Sequence, residues 1–138
     1  MNPHIKISIG TPAHEALVSI TNEVSSAVKK LGLNNGILHV FVMHTTCGLT
    51  INENADPSVV HDLLSRLNKL IPWNDPNDRH AEGNSAAHLK SSFFGSSISI
   101  PVREGRLVLG TWQGLFLGEF DGPRSRTIHI TALAADNV

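Results

Sequence analysis

The sequence predicts an α+β domain of mostly antiparallel strands in two sheets, arranged as a sandwich, with two main helices and a short third helix. Apolar and polar residues alternate in several short segments, most clearly in His4–Gly10, and such alternation is typical of half-buried strands. Helical periodicity occurs in fewer segments, which do not alternate regularly with single strands, so a doubly wound parallel sheet is not expected. The length of 138 residues predicts a single domain, residues 1–138.

The N-terminal half is expected to form four strands and one helix. In the third strand Leu38, Val40 and Val42 share a face, and the same period of two places His44 on that face. The predicted elements are a strand at 4–10, a short strand at 16–20, a helix that Thr21 or Asn22 caps and Gly32 ends, a strand at 36–44 and a strand at 47–52.

The C-terminal half begins with the clearest helix of the chain. Asp56 suits the N-cap, Pro57 suits the first helical position, and Pro72 ends an apolar stripe of valines and leucines. A polar, turn-rich loop follows, of a length typical of functional or disordered loops. The remaining elements are a short helix at 86–95, two strands joined by a turn at Glu104-Gly105, and strands at 115–119 and 127–133.

Composition narrows the functional classes. The formal net charge of −1 gives no overall field that would favour nucleic acid or an anionic membrane. No apolar run approaches the roughly 18 residues of a membrane span, and the N-terminus does not have the pattern of a signal peptide. The single cysteine, Cys47, cannot form an internal disulfide, which is typical of a reducing compartment, so a cytoplasmic location is expected.

Three long segments resemble the YjbQ family: HTTCGLTINENADP at 44–57, RHAEGNSAAHLKSS at 79–92, and IPVREGRLVLGTWQGLFLGEF at 100–120. The resemblance extends from about Ile5 to Ile130, in the same order. It implies a small α+β protein with two sheets, assembly as a homotrimer, and a secondary thiamine-phosphate synthase activity. Cys47 stands where the family usually has a small residue such as alanine, so it is given no role in a mechanism.

Histidines are the main candidates for metal ligands. His44 follows a strand, His80 lies in the long loop, and His88 lies on the short helix. Three neutral imidazoles brought together would suit zinc or another divalent ion such as magnesium, and the resemblance favours this because the three positions match the family's recurrent histidines. The alternative is that His44 is a hydrogen-bonded residue at the sheet rim and that the other two lie on the loop surface.

Glu119 is a further candidate metal ligand, because the period of two of a strand places it with Leu115 and Leu117 on an apolar face. A carboxylate there needs a metal, a histidine or an arginine as partner. Arg124 and Arg126 offer the structural alternative of an ion pair.

Neutral and basic side chains complete the candidate site. Lys90 would contact phosphate oxygens as a point charge, and with His44 and His88 it forms the candidate catalytic set; the alternative for Lys90 is a solvated surface lysine. Hydroxyl and amide groups can surround a phosphate without a cluster of arginines. The candidate substrate-binding residues are Thr45, Thr46, Asn52, Asn54, Ser91 and Gln113.

The expected function is a YjbQ-like thiamine-phosphate synthase that joins a pyrimidine diphosphate to a thiazole phosphate with loss of diphosphate. Two alternatives remain open: a non-catalytic trimeric protein that binds a phosphorylated metabolite or a metal, and a metal-dependent hydrolase. A small phosphorylated metabolite is the expected partner in each case. Neither nucleic acid nor a membrane is expected as a partner.

Overall fold

The structure is a computed structural model that describes residues 2–135, so that Met1 and residues 136–138 of the predicted domain lie outside the described residues. The elements are β1 (His4–Gly10), β2 (Ala16–Ser19), α1 (Thr21–Lys30), β3 (Gly36–Val42), β4 (Cys47–Glu53), α2 (Pro57–Leu70), α3 (Ser85–Phe94), β5 (Ser97–Arg103), β6 (Arg106–Leu107), β7 (Gln113–Glu119) and β8 (Ser125–Ala134).

The strands form two antiparallel sheets, which confirms the predicted α+β class. The larger sheet has the order β1-β8-β3-β5-β6, and the smaller sheet has the order β2-β7-β4. In the larger sheet Leu38 lies opposite Ala132 of β8 on one side and Ile100 of β5 on the other. This register directs the alternate apolar residues of neighbouring strands to one face, as the period-2 pattern predicts.

The main core lies between the inner faces of the two sheets and includes one face of α1. Val24 and Val28 of α1 belong to the same buried cluster as residues of both sheets, such as Val40 of β3 and Leu117 of β7. The two valines are four positions apart, so both lie on the side of α1 that faces the core.

The outer face of the smaller sheet is covered by α3, and glycines make the close approach possible. A Cβ atom added to Gly48 would lie 2.6 Å from Cβ of Phe94, and one added to Gly118 would lie 2.9 Å from the Phe94 ring. The ring of Phe94 therefore packs almost directly on the backbone of β4 and β7. By contrast, α2 has only half-buried and exposed residues along its whole length.

Some predicted boundaries hold and others do not. Asp56 caps α2 by accepting a hydrogen bond from the backbone N–H of Ser58 at 2.9 Å, as predicted. The predicted cap of α1 is wrong, because Thr21 lies within the helix and its hydroxyl accepts a hydrogen bond from the Leu115 backbone N–H at 2.9 Å. The predicted strand at 36–44 ends at Val42.

Within residues 2–135, none of the helices combines the length and the apolar character needed to cross a membrane.

Candidate functional site

His80 and His88 lie together at the N-terminal half of α3. Their rings are nearly perpendicular, with centroids 5.3 Å apart. Together with Ser85 and Leu89 they line an open cavity of about 430 Å³. The long loop brings His80 back over α3, so two residues that are eight positions apart in the sequence meet here.

A chain of polar contacts links His80 to the turn that follows β7. Nε2 of His80 lies 3.9 Å from Oε1 of Glu82, within reach of an ion pair but too far for a hydrogen bond. The buried Asn84 side chain donates from Nδ2 to Oε2 of Glu82 at 3.4 Å and to Oδ2 of Asp121 at 2.8 Å. Asn84 therefore ties the loop that carries His80 to the turn that follows β7.

His44 is placed in a different environment. Its Nε2 atom accepts a hydrogen bond from the backbone N–H of Thr127 at 2.8 Å, so the neutral ring carries its proton on Nδ1. Burial lowers the pKa of His44, and the positive charge of Arg126 lowers it further. Beyond the end of β3, the His44 ring therefore accepts a backbone hydrogen bond from β8. This contact corresponds to the alternative of a hydrogen-bonded histidine at the sheet rim.

Glu119 is fully buried and forms an ion pair with Arg126, which is itself only 1% exposed. Nε of Arg126 donates to Oε1 of Glu119 at 2.9 Å, and Nη2 donates to Oε2 at 2.5 Å. The Thr11 hydroxyl and the Asp121 backbone N–H also donate to the carboxylate, at 2.7 and 3.0 Å. Nη2 of Arg126 reaches Oγ1 of Thr46 at 2.9 Å. These contacts correspond to the ion-pair alternative for Glu119.

Lys90 is 2% exposed, which excludes the alternative that it is a solvated surface lysine. Its Nζ atom donates to Oε2 of Glu15 at 2.7 Å and to Oδ1 of Asn68. The adjacent Ser91 is also buried, and its hydroxyl donates to the backbone oxygen of Cys47 at 2.5 Å. Both side chains connect α3 to neighbouring elements and do not line the His80–His88 cavity.

The predicted amide and threonine ligands are distributed over several regions. Asn52 accepts from the Glu53 backbone N–H at 2.7 Å, and Gln113 accepts from the Gly110 backbone N–H at 2.8 Å. Nδ2 of Asn54 lies 3.4 Å from Oγ of Ser19, and Thr45 is exposed. A separate groove of about 280 Å³ lies between α2 and the smaller sheet, and its lining includes residues 53–57 of the polar stretch.

The four predicted metal ligands therefore do not form one group. Within residues 2–135, no three His, Cys, Asp or Glu side chains lie together as a set that could hold a metal ion. His80 and His88 are adjacent, His44 bonds to β8, and Glu119 is engaged by Arg126. For metal binding by one chain, the structure reduces the predicted set to the two neighbouring imidazoles.

Residues 5–135 match the protein family described as UPF0047 protein YjbQ-like. The chain belongs to the YjbQ-like UPF0047 family. Among relatives of this YjbQ-like chain, the UPF0047 protein YugU of Bacillus subtilis is 48% identical over 124 residues, covering 90% of this chain and 94% of YugU. A UPF0047 protein of Methanocaldococcus jannaschii is 50% identical over 125 residues, covering 91% of this chain and 90% of the relative.

Solved structures of YjbQ-like proteins have the same fold. A Clostridium acetobutylicum protein of the family superimposes with a TM-score of 0.90 at 46% identity, covering 94% of this chain and 99% of that one. A Sulfolobus solfataricus protein described as of unknown function gives a TM-score of 0.89 at 36% identity, covering 96% of each chain.

These relatives correct the functional prediction. They are named by family only, and the Sulfolobus protein is described as of unknown function, although each covers nine-tenths or more of this chain. The prediction of a secondary thiamine-phosphate synthase is therefore wrong as an assignment for this YjbQ-like chain, because these relatives are named by their family and none of them is named for that activity.

The sequence did not single out Asn84, Glu82, Asp121 or Thr11. Asn84 and Asp121 are 37 positions apart, so no local spacing connects them. One local signal was present, since Asn84 lies two positions before the predicted start of the short helix at residue 86, and asparagine is common at an N-cap. The structure gives the side chain another role, because α3 receives no side-chain cap bond from it.

Proposed function

We propose that the protein binds a zinc-like divalent ion between His80 and His88 and uses the open coordination positions to bind a small phosphorylated molecule. The observation that carries the proposal is the pair of nearly perpendicular imidazoles, 5.3 Å apart, in an open cavity. The relatives are named without an activity, so the proposal concerns binding at this site and assigns no reaction.

The donor set fits zinc better than magnesium. Imidazole nitrogen is a common ligand of zinc and of the neighbouring transition metals, whereas magnesium prefers oxygen ligands. Two protein ligands leave at least two positions of a tetrahedral zinc ion for other groups. The Glu82 carboxylate, 3.9 Å from Nε2 of His80, places a negative charge beside the two imidazoles, and this charge would favour a bound cation.

An anionic ligand is favoured by the position of the cavity on α3. Ser85 is the first residue of this helix and lines the cavity, so the positive end of the helix dipole lies beside the imidazoles. Asn84 provides no side-chain cap bond for the first turn. Phosphate oxygens would find hydrogen-bond donors there as well as an open position on the ion.

A homotrimer, as the family resemblance implies, is part of the proposal. Several large apolar side chains are exposed on the single chain, among them Phe93 at 75%, Trp112 at 63% and Leu133 at 60%. Side chains of this kind are common where copies of a protein pack together. A reducing, cytoplasmic location stays a prediction that rests on the single cysteine.

The metal proposal is tested by calorimetric titration of untagged protein with zinc, in parallel with His80→Ala and His88→Ala. Removal of either imidazole is expected to weaken zinc binding by at least about tenfold, because a single remaining imidazole cannot chelate the ion. His61→Ala is the matched control, since His61 lies on α2 with 79% of its side chain exposed and its Nδ1 atom is hydrogen-bonded to the neighbouring Asp62.

Binding of a phosphorylated molecule is tested separately, with inorganic phosphate as the probe. Phosphate is expected to bind the zinc-loaded protein and to bind the metal-free protein much more weakly. Equal zinc affinity in the wild type and His88→Ala would contradict the metal site. Phosphate affinity that is independent of zinc would contradict the role of the ion while leaving the metal site itself in place.

A further inference from the structure

The Asn84 side chain is buried, but it leaves one of its polar atoms without a partner. Asn84 is 6% exposed, and within residues 2–135 its Oδ1 atom is a buried acceptor that receives no hydrogen bond. Asn84 occupies the N-cap position of α3, where an asparagine commonly caps the first turn, yet its side chain makes no cap bond. A buried polar atom without a partner is unfavourable, so this orientation of the amide needs a physical reason.

The amide nitrogen of Asn84 supplies that reason, because it faces two carboxylates. Nδ2 donates to Oδ2 of Asp121 at 2.8 Å and to Oε2 of Glu82 at 3.4 Å. Reversing the amide would place Oδ1 against both carboxylates. Asp121 is itself fixed, since its backbone N–H donates to Glu119 at 3.0 Å and its carboxylate lies 3.4 Å from Nη2 of Arg124. Asn84 therefore ties Glu82 to a fixed part of the fold.

The second carboxylate oxygen of Glu82 faces His80. Oε1 of Glu82 lies 3.9 Å from Nε2 of His80. Two ligand atoms on one tetrahedral zinc ion are about 3.3–3.5 Å apart, because zinc–nitrogen and zinc–oxygen bonds measure about 2.0–2.2 Å. The observed separation is thus about half an ångström from that between two ligands of one ion. The Glu82 side chain is 73% exposed, so it has room for a movement of this size.

Other carboxylates near the cavity are less well placed. Asp121 is hydrogen-bonded to Asn84 and lies beside Arg124. Asp78 belongs to the same loop as Glu82, but it lines a separate cavity of about 450 Å³ that His80 also borders. Glu82 is therefore the carboxylate that can join the two imidazoles.

We infer that Glu82 is the third protein ligand of the ion between His80 and His88, and that Asn84 is the positioning residue that presents its carboxylate. The inference rests on the proposed zinc site and adds a ligand to it. Within residues 2–135 no three such side chains already lie together as a ligand set, so binding draws Glu82 towards the imidazoles. Two histidines and one glutamate are a donor set that zinc uses in proteins.

A third ligand changes what the site can hold. Two imidazoles leave at least two positions on a tetrahedral ion, whereas two imidazoles and a carboxylate leave one. A phosphorylated molecule then contacts the ion through a single oxygen. The carboxylate also compensates one of the two positive charges of the ion, which favours binding of the cation over binding of the anion.

The test of Glu82 is the calorimetric zinc affinity of the full chain. Glu82→Gln is expected to lower the zinc association constant at least about tenfold, because an uncharged amide is a poor substitute for a carboxylate ligand of zinc. Asp78→Asn is the matched control, since it removes the same charge from the same loop but leaves the carboxylate that faces His80. Its zinc affinity is expected to stay within about threefold of the wild-type value.

Cobalt(II) in place of zinc reports the coordination directly. The wild type is expected to show the strong visible absorption of four-coordinate cobalt, and Asp78→Asn the same spectrum. In Glu82→Gln the spectrum is expected to change, because water takes the position of the carboxylate. An identical spectrum in the wild type and Glu82→Gln would contradict a bond from Glu82 to the ion.

The positioning role of Asn84 is tested with Asn84→Ser. Serine is a good N-cap residue, but its shorter side chain cannot bridge Glu82 and Asp121. Zinc affinity is expected to fall several-fold when Glu82 is present and to stay unchanged in the Glu82→Gln background, because Asn84 acts through Glu82. Asn84→Ala serves as the second variant if Asn84→Ser does not fold. Equal losses in both backgrounds would overturn the role of Asn84.

The outcomes separate this inference from the zinc site itself. Zinc affinity that falls in His80→Ala and His88→Ala but not in Glu82→Gln would leave the two-histidine site in place and overturn Glu82 as a ligand. Equal losses in Glu82→Gln and Asp78→Asn would reduce the role of Glu82 to its charge and also overturn it. A wild type that binds no zinc would overturn the proposed function and this inference together.

Discussion

Replacing Arg126 with methionine tests the buried ion pair that joins β7 and β8. Arg126 is 1% exposed and Glu119 is 0% exposed, and two hydrogen bonds of 2.9 and 2.5 Å connect the side chains. In Arg126→Met, the Glu119 carboxylate keeps only the Thr11 hydroxyl and the Asp121 backbone N–H as donors. A buried carboxylate that loses its counter-ion is strongly destabilising, because the desolvation of the charge is no longer offset.

The expected loss in the free energy of unfolding is about 3–5 kcal/mol at neutral pH. For a domain of this size, a loss of that magnitude lowers the melting temperature by roughly 10–15 °C. The two remaining hydrogen bonds favour the lower end of the range, since each would contribute about 1 kcal/mol or more to a charged acceptor. The loss is measured by urea unfolding at one fixed protein concentration, because association also affects apparent stability.

The pH dependence of the stability of Arg126→Met distinguishes the loss of the counter-ion of Glu119 from the loss of side-chain volume. In the wild type, burial alone would raise the pKa of Glu119, but hydrogen bonds from Arg126, Thr11 and the Asp121 backbone outweigh burial and hold the pKa below its usual range. That stability is present above the ordinary pKa of a glutamate and is lost as the pH falls through the lowered value. In Arg126→Met burial dominates and the pKa rises, so the variant regains stability on acidification from about pH 7 to about pH 5.

Two variants serve as controls. Arg124→Met removes an arginine that is half exposed and lies 3.4 Å from Asp121, and it is expected to cost no more than about 1 kcal/mol. Glu119→Leu combined with Arg126→Met removes both buried charges and is expected to be more stable than Arg126→Met alone. A loss below about 1 kcal/mol in Arg126→Met, or a loss that does not shrink on acidification, would refute the reasoning.

Two further predictions concern buried side chains near α3. Lys90→Met removes the contact of 2.7 Å between Nζ and Glu15, and we expect a loss of about 1–3 kcal/mol in the free energy of unfolding. The zinc affinity of this variant should stay at the wild-type value. A parallel loss of zinc affinity would show that Lys90 acts at the site. Burial raises the pKa of the Cys47 thiol to about 11. At about pH 8 only about a thousandth of the thiol is ionised, so a thiol reagent should modify Cys47 rapidly only in denaturant, and rapid modification of the native protein would contradict this.

Local features of the fold were predictable because they depend on residues close together in the chain. The alternation in β1 and the Asp56-Pro57 start of α2 are examples, since strand pleating and helix capping act within a few residues. The early end of β3 was not predictable. Beyond Val42 the His44 ring accepts a hydrogen bond from the backbone N–H of Thr127, a strand residue 83 positions away, and no local pattern indicates this contact.

The candidate site was predictable only in part. The sequence identified His80 and His88 as candidates, and folding of the long loop over α3 placed their rings side by side. The sequence also suggested His44 and Glu119 as ligands of the same metal ion, although no local pattern specified which side chains would meet. From the sequence, the partner of Glu119 could be a metal, a histidine or one of two arginines. The pairing of β7 and β8 with their neighbouring strands places Arg126 beside it.

The sequence by itself determined the types and order of the elements, the alternate residues of β1 and β3 that face the core, and the family to which the chain belongs. These features follow from periodicity, capping and turn chemistry, which act over a few residues, and from long segments shared with relatives. Only the tertiary structure decided which polar groups meet. Such contacts as Lys90 with Glu15, 75 positions apart, depend on the packing of whole elements.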